Sequence, residues 1–341
     1  MAATVRVGFI GAGGFSQSRL IPNFKEIPGV ELIAVANSTP GSSSRVASEF
    51  GFQRPAADWR AVAEAPDIDA IVLGTRTDTH HSMIPSILDA GKHLLSMNAL
   101  VRDADQGRDV VAAARKHPHL ATLVYPAAAG PFYLVEDDLV RSYLDAGYVG
   151  DVLQAFVFWY TPFFGLGSMF APAASWLGAH TRVFGYRKDL DGPSFEGPRG
   201  RPITPQINGA LTELGSGALL SYQHTTFTDP SARARFEIRG TAGVLVCYAV
   251  AEGAYVVPES GETGRLFGAK HGDSELQPLP VPDGVNPTGP NVEVEFIAAV
   301  RGERAASAAI PRFWDALAAI EFANAWRESV DTGAWREIGS S

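Results

Sequence analysis

Cysteine is almost missing from this chain: among 341 residues there is one, Cys247. A single thiol closes no internal disulfide and cannot build a zinc site alone, which excludes a small stapled domain and fits a reducing compartment, the cytoplasm. Positive charge is also in deficit. The 28 Lys and Arg against 37 Asp and Glu leave a formal net charge of −9, so no basic field is available to hold a phosphate backbone, and nucleic acid is not an expected ligand. No long apolar run free of breakers exists, and the segment Met1 to Ile10 carries one basic residue and no apolar h-region; neither a membrane span nor an export signal is expected. No metal is expected either. Glu136, Asp137 and Asp138 are consecutive carboxylates that diverge on a helix, have no matching His or Cys cluster, and read as a solvated helix start. What remains is 46% apolar and 19% charged, an ordinary globular composition long enough for about two domains.

The first part of the chain alternates apolar runs with helix-compatible stretches. Val5 to Ile10 ends in Gly11-Ala12-Gly13-Gly14 and is followed by helical sequence from Ser16 to about Glu26. Leu32 to Ala36 is a second run ending at Asn37. Ala70 to Leu73, His93 to Leu95 and Ala121 to Val124 follow, separated by helical stretches from about His80 to Ala90 and Ala104 to Lys116. Ser42-Ser43-Ser44 reads as a helix cap. Strands alternating with helices predict a parallel sheet covered on both faces. Beyond Asp151 strands dominate, at Leu153 to Trp159, Val183 to Arg187, Ala218 to Phe227, Arg233 to Ile238 and Val244 to Tyr248, a spacing that predicts an antiparallel sheet. Two Gly/Pro-rich stretches, Asp191 to Pro202 and Pro278 to Pro290, read as long loops within that second domain, with a linker or a substrate lid as the alternative. Helices are expected at Val292 to Arg301 and Phe313 to Val330.

A strand that runs into Gly11-x-Gly13-x-x-Ser16 and then a helix lets backbone amides and the helix dipole meet a pyrophosphate, because no Cβ blocks its approach. Gly11, Gly13, Gly14, Phe15 and Ser16 are therefore candidate cofactor contacts, with the Ser16 hydroxyl able to bond phosphate. NAD-preferring sites usually end the second strand in a carboxylate that holds the ribose 2′-hydroxyl. Here the residues are Asn37, Ser38 and Thr39, with Arg45 nearby. With no carboxylate to repel a 2′-phosphate, the expected cofactor is NAD(P), NADP slightly favoured over NAD. A plain turn at Ser38 and Thr39 with a solvated Arg45 is the alternative.

The segments Val7 to Gly14, Asp67 to Val72, Thr75 to His80, Ala90 to Leu94, Asp145 to Asp151, Phe236 to Gly243 and Glu295 to Gly302 together resemble the family of glucose-fructose oxidoreductase, inositol dehydrogenase and MocA (Gfo/Idh/MocA), and cover nearly the whole chain. The resemblance implies a fold of class α/β: an N-terminal Rossmann doubly wound parallel sheet, residues 1–125, and a C-terminal α+β domain, residues 126–341, with a large open, mainly antiparallel sheet. The closing helices are expected to be able to pack back on the first domain. It further implies a homo-oligomer, dimer or tetramer, formed through that sheet, and a small-molecule substrate. Cofactor contacts are implied at Thr75, Arg76, His80, Met97 and Asn98, Arg76 standing where the family has proline. Family dehydrogenases carry a Glu-Lys-Pro motif after the fifth strand, whose lysine manages the proton of the substrate hydroxyl. This chain reads Ser96-Met97-Asn98-Ala99-Leu100, with asparagine in that place. The family's Asp-x-x-x-His pair should fall between Tyr160 and Ala179, where the chain has no Asp, Glu, His, Lys or Arg; Ala171 and Ser175 stand in one alignment.

Hydride transfer from an alcohol needs a proton acceptor on its oxygen, so the candidates for replacement are Asn98, His80, Tyr125 and His180. His80 reads alternatively as a helix-cap or packing residue, and Tyr125 as packing. Tyr186 is a weaker substrate candidate, and His81 faces solvent. Tyr222, His224 and Thr226 share one strand face, read as an oligomer interface or a substrate floor. Cys247 reads as core. The aromatic run Phe156 to Phe164 reads as core or interface, and as an apolar pocket wall if its loop lines the site. The leading expectation is an NAD(P)-dependent oxidoreductase with an atypical proton-handling site, acting on a small cyclic or sugar-derived substrate or on a carbonyl or imine. The alternatives are a nucleotide-binding lyase, isomerase or dehydratase, and a catalytically inactive regulatory or binding protein of the same fold.

Overall fold

The computed structural model describes residues 3–125, 137–160, 174, 176–189, 195–196, 202–203, 206–225, 233–250, 266–286 and 290–339. Contacts divide the chain into two units, residues 1–127 with 290–317, and residues 128–289 with 318–341.

In the first unit, strands β1 (Val5–Ile10), β2 (Val30–Ala36), β3 (Arg54–Pro55), β4 (Ala70–Leu73), β5 (His93–Met97) and β6 (Thr122–Tyr125) alternate with helices. These are α1 (Ile21–Glu26), which continues a π-helical turn over Ser16–Leu20, α2 (Pro40–Phe50), α3 (Trp59–Ala63), α4 (Thr77–Asp89) and α5 (Ala104–Arg115). The sheet order is β3-β2-β1-β4-β5-β6 with every pairing parallel. The direction of winding reverses between β1 and β4, so a crevice opens at the carboxyl ends of the strands at that point. The near-continuous apolar character of β1, β2 and β4 follows from burial on both faces. Phe9 anchors the core, with Phe24 and Phe52 set edge-on to it at 5.8 and 5.5 Å. The helix Val292–Val300 adds Phe296, edge-on to Phe24 at 6.4 Å. The doubly wound parallel sheet expected from the sequence is present.

The second unit holds α6 (Asp137–Asp145) and strands β7 (Val152–Tyr160), β8 (His180–Asp189), β9 (Phe195–Glu196), β10 (Pro202–Ile203), β11 (Gln206–Leu214), β12 (Leu219–Thr225), β13 (Arg233–Gly240), β14 (Gly243–Val250), β15 (Leu266–Lys270), β16 (Gln277–Pro278) and β17 (Arg336–Glu337). Nine of them form one sheet, β16-β15-β14-β13-β7-β12-β11-β8-β17, antiparallel throughout except for the β7–β12 pair. This mixed, mainly antiparallel sheet is the one the sequence implied. β9 and β10 make a separate two-stranded ribbon inside the first Gly/Pro-rich stretch. The helix Phe313–Thr332 begins in the first unit and ends in the second. Its later part covers one sheet face: the Trp326 indole N–H donates to Gly209 O at 2.8 Å and the Ser329 hydroxyl accepts from Gly185 N at 2.8 Å.

Three local expectations are corrected. Tyr222 and His224 lie on the helix-covered face and are buried; the open face carries their neighbours Ser221, Gln223 and Thr225 instead. They are therefore core, not interface, while Thr226 lies outside the described residues. Asp137 is not a solvated helix start but is buried, accepting from the Trp176 indole at 2.5 Å and from Arg141 at 3.3 Å; Glu136 lies outside the described residues. The cap of α2 is Thr39, whose hydroxyl accepts from Ser42 N at 3.2 Å, so Ser42 and Ser43 sit inside the first turn. Cys247 is buried in the core of the second unit.

Candidate functional site

β1 delivers the chain to the crevice at Gly11, whose φ is +85°, a conformation open chiefly to glycine. A Cβ there would stand 2.6 Å from the Thr75 backbone nitrogen, so the glycine also permits the close approach of the loops after β1 and β4. Gly13 and Gly14 differ: an added Cβ would meet nothing within 4 Å at either. The loop thus presents bare backbone to open space just before the helix begins. This is a cradle that a phosphate can enter and a side chain would fill.

Asn37, at the end of β2, fixes this loop. Its Oδ1 accepts from Ala12 N at 2.7 Å, its Nδ2 donates to the Ser42 hydroxyl at 3.1 Å, and its own N–H donates to the Ser43 hydroxyl at 2.9 Å. Gln17 braces the other side, donating to Ala12 O at 2.7 Å. Above the loop lies a cavity of about 630 Å³, within the usual size range of cofactor pockets. Gly11, Gly13, Asn37, Ser38, Thr75 and Arg76 are on its wall, together with Gln17, Asp58, Trp59, Thr79 and Met83. Of the other residues singled out from the sequence, Gly14, Phe15, Ser16, Thr39, Arg45, His80, Met97 and Asn98 are not on that wall. Ser16 is buried, with its hydroxyl 3.1 Å from where a Cβ on Gly74 would stand. Arg45 is turned to Glu49 at 2.7 Å and to Gln17.

Asp58 and Trp59 escape sequence reasoning because β3, which precedes them, is two residues long and leaves no periodic signal. The available clue is the N-cap: Asp58 Oδ1 accepts from Ala61 N at 3.0 Å to start α3, and loops at the carboxyl end of such a sheet line its crevice.

His80, on α4, is buried and joins two loops. Its Nδ1 lies 2.9 Å from Leu100 O, and its Nε2 lies 3.1 Å from Thr75 O. Burial pushes its pKa down, with the two carbonyls pulling the other way. It therefore ties the segment after β5, which contains Asn98, to the segment after β4. The Asn98 side chain is half-buried, and its peptide bond to Ala99 is cis.

Tyr125 pairs with Met97 across β5 and β6, one residue from Asn98. Its ring is buried with Phe15 edge-on at 5.5 Å, and its oxygen accepts from Arg19 Nε at 3.0 Å. Nearby, Glu293 accepts from Asn23 Nδ2 at 3.0 Å. Burial pushes this carboxyl upward while Asn23 and the Arg19 charge pull it down.

His180 belongs to the second unit. Its Nε2 lies 2.6 Å from the Tyr222 oxygen, and Phe322 packs edge-on to its ring. Burial depresses its pKa to about 3, so it is neutral at pH 7, and the same burial drives Tyr222 far upward. On that face Asn208 Nδ2 also lies 3.3 Å from His224 Nδ1. Tyr186 lies over Gly209 on the open face, and His81 pairs with Asp109 at 2.9 Å. Ala171, Ser175, Phe163 and Phe164 lie outside the described residues. Among the described residues no group of His, Cys, Asp and Glu could hold a metal ion, and no helix is long and apolar enough to cross a membrane.

Residues 5–125 match the family described as GFO_IDH_MocA, oxidoreductase family with an NAD-binding Rossmann fold. The chain is similar to dTDP-3,4-didehydro-2,6-dideoxy-alpha-D-glucose 3-reductase of Saccharopolyspora spinosa, 28% identical over 160 residues, covering 45% of each protein. It is also similar to inositol 2-dehydrogenase of Rhizobium meliloti, 28% identical over 152 residues, 44% of this chain and 43% of that enzyme. The matched stretch therefore spans under half the length of these relatives. A solved structure of levoglucosan dehydrogenase in complex with NADH and levoglucosan shares the fold, with a TM-score of 0.74 at 16% identity over 99% of this chain and 100% of that one.

Proposed function

The chain belongs to the Gfo/Idh/MocA oxidoreductase family, and from that premise we propose that it is an NAD(P)-dependent oxidoreductase with an atypical proton-handling site. Its substrate is a small cyclic or sugar-derived molecule, or a carbonyl or imine, and its cofactor is NAD(P) with NADP favoured. Residues 1–125 form the cofactor domain and residues 126–341 the substrate domain, apart from residues 290–317, which return to the first unit; the cytoplasm is its compartment. The observation that carries the reading is the cavity over the open glycine loop, walled by the ends of β2 and β4.

The nicotinamide ring supplies the hydride acceptor or donor when bound; the chain's residues do the rest. The bare backbone at Gly11 and Gly13 would admit the pyrophosphate, and Asn37 holds their loop by accepting from the Ala12 N–H. His80 positions the Asn98 segment through Leu100 O rather than exchanging protons itself, a role supported by its burial between two carbonyls. Asn98 orients the substrate oxygen by a hydrogen bond but transfers no proton. Tyr125 is the favoured proton donor, a role supported by its place at the end of β6 beside Met97, next to Asn98 in the chain, and by the Arg19 hydrogen bond that holds its oxygen. His180, neutral and bonded to Tyr222, serves the core of the second domain.

A homo-oligomer through the open sheet face completes the reading. That face exposes Tyr186, Ile207, Leu211 and Leu219, with Trp335 beside Phe184, an apolar area of the kind that marks an interface.

The test is transfer of deuterium from the C4 position of labelled NADPH and NADH to a panel of cyclic ketones, sugar-derived carbonyls and imines. Label appearing in a product supports the oxidoreductase. Conversion with no label in the product and no net change in nicotinamide absorbance favours the lyase, isomerase or dehydratase reading, which the asparagine at position 98 supports. No turnover together with a cofactor-dependent protein partner favours the regulatory reading.

A further inference from the structure

Charge is distributed unevenly around the cavity. Among the described residues its wall carries one cation, Arg76, and one carboxylate, Asp58. Asp58 is engaged as the α3 cap by the Ala61 N–H. Arg45, the cation nearest to the end of β2 in sequence, is off the wall and committed to Glu49 and Gln17. Asn37 stands where a carboxylate would reject a second phosphate, and its amide is consumed by Ala12 and Ser42. Ser38 and Ser42 add hydroxyls to the same wall.

Arg76 itself is held lightly. Its side chain is 85% exposed and pairs with Asp78, met by Nε and by a terminal nitrogen, each at 3.1 Å. Exposed pairs of this kind contribute little, so a stronger anion can take the guanidinium over. A phosphate dianion is such an anion, because it offers the planar fork two parallel charge-assisted hydrogen bonds. We infer that Arg76, not Arg45, is the residue that selects a phosphate on the adenosine ribose, with Asp78 as its counter-ion when no phosphate is present. The ligand class is an adenosine 2′-phosphate, and the inference rests on the nucleotide-binding reading above.

The experiment is calorimetric titration of the full chain with 5′-AMP and 2′,5′-ADP (adenosine 2′,5′-bisphosphate), which differ only in that phosphate. The wild type binds 2′,5′-ADP more tightly than 5′-AMP. Arg76→Ala weakens 2′,5′-ADP by about ten- to a hundredfold, the range for losing a hydrogen-bonded charge, and leaves 5′-AMP within about twofold. Arg76→Lys retains part of the preference. Asp78→Asn tightens 2′,5′-ADP alone by freeing the guanidinium, and Arg45→Ala changes neither ligand. Equal weakening of both ligands by Arg76→Ala overturns the inference, since the side chain then contacts the base or the shared 5′-phosphate. Loss of the preference in Arg45→Ala but not in Arg76→Ala overturns it too, as does a wild type with no preference; in these cases nucleotide binding itself stands. A wild type that binds neither ligand, nor NADH or NADPH, overturns the inference together with the reading beneath it.

Discussion

Gly11 and Gly13 sit two residues apart in one loop and are needed for different reasons, which single methyl groups separate. At Gly11 an alanine would meet the Thr75 nitrogen at 2.6 Å in a backbone with φ of +85°, a conformation costing about 1–2 kcal/mol before the clash is added. Gly11→Ala should therefore lower the unfolding free energy in urea by about 2 kcal/mol or more. At Gly13 an alanine meets nothing within 4 Å, so the urea midpoint should hold while NADPH affinity falls. His180 makes a second residue-scale test. Its pKa is about 3 in the fold against an ordinary 6.5. The folded state thus refuses a proton that the unfolded chain accepts, and the stability this contributes is whole above pH 6.5 and drains as pH falls toward 3. Asp137 runs the other way: with its carboxyl raised from 3.8 to about 6, its contribution is whole below 3.8 and is lost as pH rises through 6. In urea titrations between pH 6.5 and 4, His180→Gln should lose the acid-side decline that the wild type shows; an unchanged slope would contradict the assignment.

Elements were legible where burial imposes one pattern. β1, β2 and β4 to β6 are mainly apolar because helices cover both faces, and the sequence shows them as runs. β11 was not read. Its segment Gln206 to Leu214 includes Asn208, Gly209 and Thr212, and only one of its faces is covered. Its glycine lies under a side chain of the neighbouring strand, where a Cβ would overlap the Tyr186 ring at 2.0 Å and make that ring swing aside. Nothing in the local sequence announces that constraint. β3 is too short to signal, and with it the Asp58-Trp59 part of the cavity wall stayed hidden. The glycine loop, Asn37 and Arg76 were legible because each departs from or satisfies a motif with fixed spacing. The face of β12 was misassigned because alternation identifies which residues share a side but not which side the helix Phe313–Thr332 covers. That cover has a testable fastening. Ser329 is fully buried, accepts from Gly185 N and donates to Ala334 O at 2.6 Å. Ser329→Ala leaves the strand amide without its partner and should cost about 1–3 kcal/mol in urea unfolding.

At the scale of the molecule, the fold shared with levoglucosan dehydrogenase does not by itself fix a chemistry, since function resides in the site grafted on it. Two whole-molecule claims remain exposed to experiment. If the open sheet face joins protomers, light scattering should give a mass above one chain for the wild type, and Leu211→Glu, which puts a charge on that face, should shift the mass toward one chain. The central claim is that the cavity above Gly11 to Gly13 holds a nicotinamide dinucleotide, and Trp59 on its wall provides a reporter. The most direct measurement is titration of the purified chain with NADPH and NADH, following tryptophan emission and energy transfer to the nicotinamide. The account predicts saturable quenching by both, with NADPH binding more tightly; no saturable change with either would contradict it.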